Sequence, residues 1–510
     1  MIHATTQFQT SQNSGVTYGA PYSLPISTRE HNYGILKVET LPTQEVPENQ
    51  PIASHFVMTC DRSGSMGYGG NDFGWKTGTT KMEFLKQTLR NMVRWLSEQA
   101  DKTFYLTIIA FDDVVEIPIE YQEITSDNVD ETIKTIDKMY ARNTTNIEMA
   151  LSRANEIIEK YADPELSQSH IFMTDGEITA GSSNISILKS NINYDLFQSF
   201  IGYGTDHNIE LLKDLSSDMK SDYYFVESME NTGMVYGEIV HNVLNNLINQ
   251  AKIIMRDGVE IYNYYENKWQ TELQIGSLPS DASKTYHIRY AWSKHGRSTR
   301  SIYKNPLALE FDINYVHLDP NVSTTQYYDS NVTDRENDDF NNFRGRLAEK
   351  YMWRLRTLQL LFQAGLSESE RPVNLRTELK TFLKSMRSYI ERHALDEDPF
   401  MKNLCDDIYI SLRAFHSYIG NMFICARQTS QGRQRAYNMV DIDELVPNQN
   451  IMAPPIRARG GNHHVRFAIP SDDEIEDEDD DYNLSTETTT PYVGIQQSQL
   501  MRTLSSQPVV

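Results

Sequence analysis

The chain has 510 residues, and 47 Lys and Arg against 70 Asp and Glu leave a formal charge of −23. That length supports about two to four domains, and a surplus of that sign argues against a general binder of nucleic acid or anionic membrane. Three scattered cysteines (Cys60, Cys405 and Cys425) with no CxxC pair exclude a disulfide framework, a zinc ribbon and a RING, and suit a reducing, cytoplasmic setting.

In chain order, residues 1–33 are polar, rich in Gln, Thr and Ser, and read as a disordered arm with no secretory signal. Residues 34–41 (GILKVETL) alternate apolar and polar and predict a half-buried strand; a connector follows to residue 52. From 53 to 250, apolar segments at 53–59, 103–111, 168–174, 196–202 and 222–227 alternate with stretches of helical spacing. Phe84, Leu85, Leu89, Met92, Val93 and Leu96 form one such stripe, and Ile147, Leu151, Ala154, Ile157 and Ile158 another; a third runs from Ile239 to Ile248. Buried strands alternating with amphipathic helices predict an α/β unit with a doubly wound, mostly parallel sheet. Val114 to Ile119 carries Pro118 and belongs at the sheet edge.

From 251 to 338 the signal changes. Strand-like pieces (VEIYNYYE, WQTELQIG, KTYHIRYAW, LALEFDINYVHL) punctuated by Gly and Pro predict an antiparallel β-sandwich, completed by 34–41 and followed by a linker at 319–338. Residues 339–440 hold three apolar stripes, Phe343–Leu361, Leu379–Ile390 and Leu404–Phe423, and predict a helical module. From 441 to 510 the expectation is a disordered acidic tail, with nine acidic residues in 472–481. No apolar run reaches the ~20 residues of a membrane span.

The chemistry concentrates at His55–Gly67 (HFVMTCDRSGSMG). An apolar strand runs into Asp61-Arg62-Ser63-Gly64-Ser65, setting three oxygen-bearing side chains at alternate positions beyond a strand's carboxyl end, where open sheets gather ligands. Side chains so spaced can converge on one hard cation, and oxygen-only donors select magnesium, manganese or calcium. Two more loops can reach the same edge: Asn143-Thr144-Thr145-Asn146 before the helix at Ile147, and Met173-Thr174-Asp175-Gly176-Glu177 after the strand at 168–174. Turn formers and helix caps that bind nothing are the plainer reading. Three such motifs in order favour the metal.

DRSGSM, then TTN, then MTDGE resembles the von Willebrand factor A domain with its metal-ion-dependent adhesion site (MIDAS). The resemblance covers about 53–250. It implies a divalent cation (Mg2+, or Mn2+ or Ca2+) held by Asp61, Ser63, Ser65, Thr145 and Asp175, with one coordination position open to a carboxylate of a protein partner. It implies binding rather than catalysis, and no GxSxG, HExxH or phosphate loop is legible. FIGYGTDHNIELL at 200–212 is similar to the family's fourth strand and following loop. The later regions, ending in ARQTSQGRQRAYN at 426–438, resemble the intervening region of intracellular members, some of which add a RING or a Hint module that is not seen here.

One departure stands out. Family members pass almost directly from DxSxSM into the first helix, whereas here Gly67 to Thr80 intervenes. That insert brings Tyr68, Asp72, Phe73 and Trp75 beside the metal loop as a candidate partner-contact surface, with packing onto their own domain as the alternative. Gly202-Tyr203-Gly204 lacks GxGxxG and a Walker lysine and reads as a turn; Cys60 reads as a buried thiol; His463-His464 reads as a solvated turn. The acidic run is solubilising or, more sharply, an internal ligand for the open metal position. The leading expectation is a non-enzymatic, metal-dependent protein-interaction module. A ubiquitin-pathway substrate receptor and a structural assembly protein, of a virion if residue usage reflects a large DNA virus, are the alternatives. Oligomeric state is left open.

Overall fold

The computed structural model describes residues 2–8, 31–40, 53–68, 79–99, 102–204, 207–217, 221–227, 231–255, 258–280, 282–291, 307–313, 325–328, 347–367, 369–415, 418–438, 484–485 and 487–505. The elements are β1 (Ile2–Phe8), β2 (His31–Thr40), β3 (Ala53–Asp61), α1 (Lys81–Ser97), β4 (Thr103–Phe111), β5 (Val115–Glu123), α2 (Val129–Asp137), α3 (Ile147–Lys160), β6 (Leu166–Thr174), α4 (Ile185–Ser190), β7 (Phe197–Tyr203), α5 (Ile209–Leu215), β8 (Ser221–Val226) and α6 (Thr232–Leu244). They continue with β9 (Asn246–Met255), β10 (Val259–Asn263), β11 (Lys268–Gln270), β12 (Glu272–Pro279), β13 (Ser283–Ala291), β14 (Leu307–Ile313), β15 (Thr325–Tyr328), α7 (Leu347–Ala364), α8 (Leu375–His393), α9 (Pro399–Arg413), α10 (Tyr418–Arg433) and α11 (Ile495–Ser505). Among the described residues, no helix is long and apolar enough to cross a membrane.

The α/β unit is a six-stranded sheet in the order β5-β4-β3-β6-β7-β8. Every pairing is parallel except that of β5 with β4. β3 is buried along nearly all its length, as a central strand covered on both faces must be. β5 carries Pro118 and alternates exposed with half-buried positions, as an edge strand does. The register sets the site. Asp61 lies opposite Phe111 of β4, and Cys60 lies opposite Met173 of β6, so β3, β4 and β6 release their loops at one level.

The expected sandwich forms as two antiparallel sheets, β1-β2-β13-β10-β11 and β12-β9-β14-β15. β2 joins it from before the α/β unit by pairing with β13, Leu36 opposite Tyr286. The Arg- and Gln-rich segment at 426–438 fastens these parts together. Gln434 bonds the backbone of Thr285 on both sides, accepting from its N (2.8 Å) and donating to its O (3.1 Å). Arg435 pairs with Asp222 of β8 (3.1 Å) and lies 3.9 Å over the Tyr224 ring. The Ala436 and Tyr437 amides donate to the Glu238 carboxylate of α6 (3.0 and 2.7 Å).

Four expectations need correction. The polar arm is not structureless throughout: Ile2–Phe8 pairs antiparallel with β2, Ile2 opposite Thr40 and Phe8 opposite Gly34. The helical stripe expected through Ile248 ends at Leu244. Asn245 returns its amide to the His241 carbonyl (3.0 Å), and the chain then enters β9. The stripe Leu404–Phe423 is two helices, α9 and α10, folded so closely that a side chain at Gly420 would collide with the Ala414 carbonyl.

The tail is the largest difference. Residues 484–485 and 487–505 are placed, ending in α11, which buries Leu500, Met501 and Leu504. Gly233 and Gly237 of α6 lie so near the backbone of Leu504 and Met501 that any side chain there would clash, and Asn91 of α1 donates to the Leu504 carbonyl (2.9 Å). Each of those apolar side chains contributes about 1.5–3 kcal/mol on burial, which offsets part of the cost of ordering the helix. The acidic run 472–481 lies outside the described residues.

Candidate metal centre

β3 delivers Asp61, and a 3-10 turn over Gly64–Gly67 brings Ser63 and Ser65 back toward the sheet edge. Asp61 Oδ1 accepts from the Ser63 amide (2.7 Å), which shapes the turn. The Ser63 and Ser65 hydroxyls lie 3.0 Å apart, and Ser65 Oγ donates to Asp175 Oδ1 (2.7 Å). Thr174 Oγ1 donates to the second oxygen of Asp61 (2.5 Å), joining the first and third loops. Thr145 is buried while Thr144 is exposed, which identifies Thr145 as the threonine turned inward. A Cβ on Gly176 would lie 3.5 Å from Thr145 Oγ1 and 3.6 Å from Ser65 Oγ, so the second loop reaches the same spot.

Backbone bonds lock the three loops in register. Gly64 donates to the Asn143 carbonyl (3.1 Å), Arg142 to that of Arg62 (2.7 Å), and Asn146 to that of Asp112 (2.9 Å). Thr179 and Ala180 both donate to the Thr145 carbonyl (3.1 Å). Asn143 holds a left-handed φ of 59°, a conformation asparagine tolerates better than most residues. Asn146 caps α3 by accepting from Met149 N (3.1 Å). The residues that the plainer reading would make caps and turns are therefore partly that; Thr145, Ser63 and Ser65 are not spent as caps.

The electrostatics are those of crowded carboxylates. Burial, and then the Asp175 charge, raise the Asp61 carboxyl above the usual range, against hydrogen bonds from Thr174 and Ser63. The donor set is three hydroxyls and two carboxylates, all hard oxygen, and fits Mg2+, Mn2+ or Ca2+ by type. Among the described residues, no group of three or more His, Cys, Asp or Glu is placed to share a metal.

Sequence reasoning missed two features. Lys81, the first residue of α1, is buried with its ammonium 3.0 Å from Asp175 Oδ2. A lysine after a glycine-rich insert reads as surface, and nothing in its local pattern marks it. Beside the site, Arg62 and Arg142 hold Asp112 and Glu116, with Arg142 Nε 2.7 Å from Asp112 and Arg62 Nη1 2.6 Å from Glu116. Burial alone would raise Asp112; the Arg142 and Val114 hydrogen bonds and both guanidinium charges hold it below the usual range. Of the candidate partner-contact residues, Tyr68 is 63% exposed at the rim, and Asp72, Phe73 and Trp75 lie outside the described residues. Burial pushes the Cys60 thiol up to about 12, helped by Asp61, as suits an inert core thiol. At Gly202-Tyr203-Gly204 a side chain on Gly202 would strike the His207 ring, so the glycine serves packing.

The sheet order and the three loops define a doubly wound α/β domain with a loop cluster at the carboxyl edge of its sheet. The family model described as von Willebrand factor type A domain matches residues 56–177, which include all three loops, and the chain carries that domain. Mouse inter alpha-trypsin inhibitor heavy chain 4 is 24% identical over 233 residues, which span 43% of this chain and 23% of the mouse protein. Among solved structures, a von Willebrand factor type A protein from Catenulispora acidiphila covers 79% of this chain and 92% of its own at 10% identity and a TM-score of 0.46. Proximal thread matrix protein 1 of the mussel byssus, with a zinc-occupied MIDAS motif, covers 41% and 51% at 16% identity and a TM-score of 0.30.

Proposed function

We propose that this protein binds a protein partner through a divalent cation held at the carboxyl edge of the central sheet. Ser63, Ser65 and Thr145 would supply hydroxyl oxygens, and Asp61 and Asp175 the carboxylates, directly or through water. The cation would be Mg2+, Mn2+ or Ca2+, and its chemistry is that of a Lewis acid with a coordination position for the partner's Asp or Glu. The observation that carries the reading is the meeting of the first and third loops through the Ser63–Ser65–Asp175 and Thr174–Asp61 hydrogen bonds, with the second loop tied to both by the Gly64–Asn143 and Thr179–Thr145 backbone bonds. Tyr68 would stand at the contact, because it is exposed on the loop that carries the serines. The chain's own residues do no bond-breaking in this reading: the site's two carboxylates are tied to hydroxyls and an ammonium, and neither is set to take a proton from a bound water.

Calorimetric titration of the full chain with MnCl2 or MgCl2, followed by partner capture with and without chelator, tests this. The expected result is one cation site, lost in Ser63→Ala and Asp61→Ala, with capture lost by the same changes and by chelation. Cation binding unchanged in both variants would overturn it.

A further inference from the structure

Three places invite an inference. The cleft between α6, the sandwich and the Arg433–Arg435 segment holds about 450 Å³, yet its charges are spent on one another. The glycine notch of α6 is already filled by α11. The third is Lys81, and it carries furthest.

Resting on the proposed cation site, we propose that the Lys81 ammonium is a built-in counter-ion, which a divalent cation must displace to bind. The two oxygens of Asp175 are divided: Oδ1 accepts from Ser65 Oγ at 2.7 Å and Oδ2 from Lys81 Nζ at 3.0 Å. One carboxylate therefore presents a proposed metal ligand and the lysine side by side. Lys81 is buried, and so are Asp61 and Asp175. Asp61, Asp175 and the Lys81 ammonium together leave this set one positive charge short of neutral, which is what makes it attractive to a cation. A divalent ion added beside the ammonium would overshoot to a net positive charge and repel it at short range in a poorly screened setting. A divalent ion with the ammonium withdrawn balances the two carboxylates.

Helix physics agrees. Lys81 is the first residue of α1, where the positive end of the helix dipole disfavours a cation. Asp175, and not its own helix, holds the ammonium there. Lys81 also closes the insert, its amide donating to the Tyr68 carbonyl (3.1 Å). The residue that gives way to the cation is thus the one that pins the base of the candidate contact loop.

The test is titration of the full chain with MnCl2 by calorimetry in wild type, Lys81→Met and Lys81→Arg. Lys81→Met should bind Mn2+ at least about tenfold tighter than wild type, and Lys81→Arg, which keeps the charge, should stay within about threefold. Equal or weaker binding in Lys81→Met overturns the counter-ion role and leaves the cation site standing. No cation uptake by any of the three chains overturns the site and the counter-ion together. The wild-type chain gives a readout that needs no variant: the slowly exchanging Lys81 ammonium signal in nitrogen NMR should vanish as MgCl2 saturates the protein. Its persistence at saturation overturns the proposal.

Discussion

Two buried charge clusters in this molecule use the same ingredients to opposite ends. At the α6–β8 flank, Asp222 and Glu238 face Arg433, Arg435 and Lys284, and protein groups answer each of them. Asp222 takes both guanidinium groups, Glu238 takes two backbone amides, and Lys284 donates to the Arg433 and Gln434 carbonyls (2.9 and 2.6 Å). At the sheet's carboxyl edge, Asp61 and Asp175 face one lysine and a set of hydroxyls that can serve as donors or ligands. The first cluster is closed and acts as a fastener. The second is short of positive charge and open to exchange, which is how a site differs from a joint.

That contrast can be broken at the fastener first. Arg435→Ala removes a buried cation, leaves Asp222 with Arg433 alone and frees the Tyr223 carbonyl; it should cost about 3–5 kcal/mol in denaturant unfolding. A loss within error of zero would mean that the cluster is not what joins the parts.

Acid sharpens the comparison, because neither cluster should fail first. Burial pushes His55 and His170 down to about 4; His55 sits against Thr107, Gln168, Tyr121 and Tyr161, and His170 between Thr59 and Gln198. With folded values below the ordinary histidine value, the unfolded chain binds more protons between them. Their stability contribution is then full above about pH 6.5 and falls as pH drops toward 4. From pH 7 to 5 each should cost about 2 kcal/mol. Unfolding curves for His55→Gln and His170→Gln should show a correspondingly flatter pH dependence, and an unchanged slope would move the acid lability elsewhere.

The smallest effect should come from the open cluster. Asp61→Asn keeps the shape, can still accept from the Ser63 amide, and removes one of two repelling carboxylates. Metal-free stability should stay within about 1 kcal/mol of wild type or rise, while any cation-induced increase in Tm disappears. A large loss of stability would reclassify Asp61 as a structural group.

The parts legible in the sequence were those written in local patterns. Apolar β3, β4 and β6 gave the sheet, the DRSGS and TDG loops followed from the ends of β3 and β6, and TTN from its place before α3. That 34–41 completes the sandwich could be read because its alternation matches that of the later strands; its partner β13 could not, since register across so long a gap leaves no local mark. Lys81 was illegible, since its burial depends on a carboxylate 94 positions away. Helix α11 was hidden because its apolar set is sparse, Leu500, Met501 and Leu504 among glutamines and serines, and needs the α6 glycines to make sense. The α9–α10 break looked like one stripe because both helices share a core.

Where the chain leaves and re-enters near the C-terminus has its own consequence. Tyr437 forms a bridge with Thr489, and Asn438 donates to the Thr488 carbonyl (2.9 Å), so residues 439–483 start and finish at one fixed doorway. The fold therefore sets the segment before residue 439 and the one leading into α11 side by side, so that α11 reaches α6 from a fixed starting point.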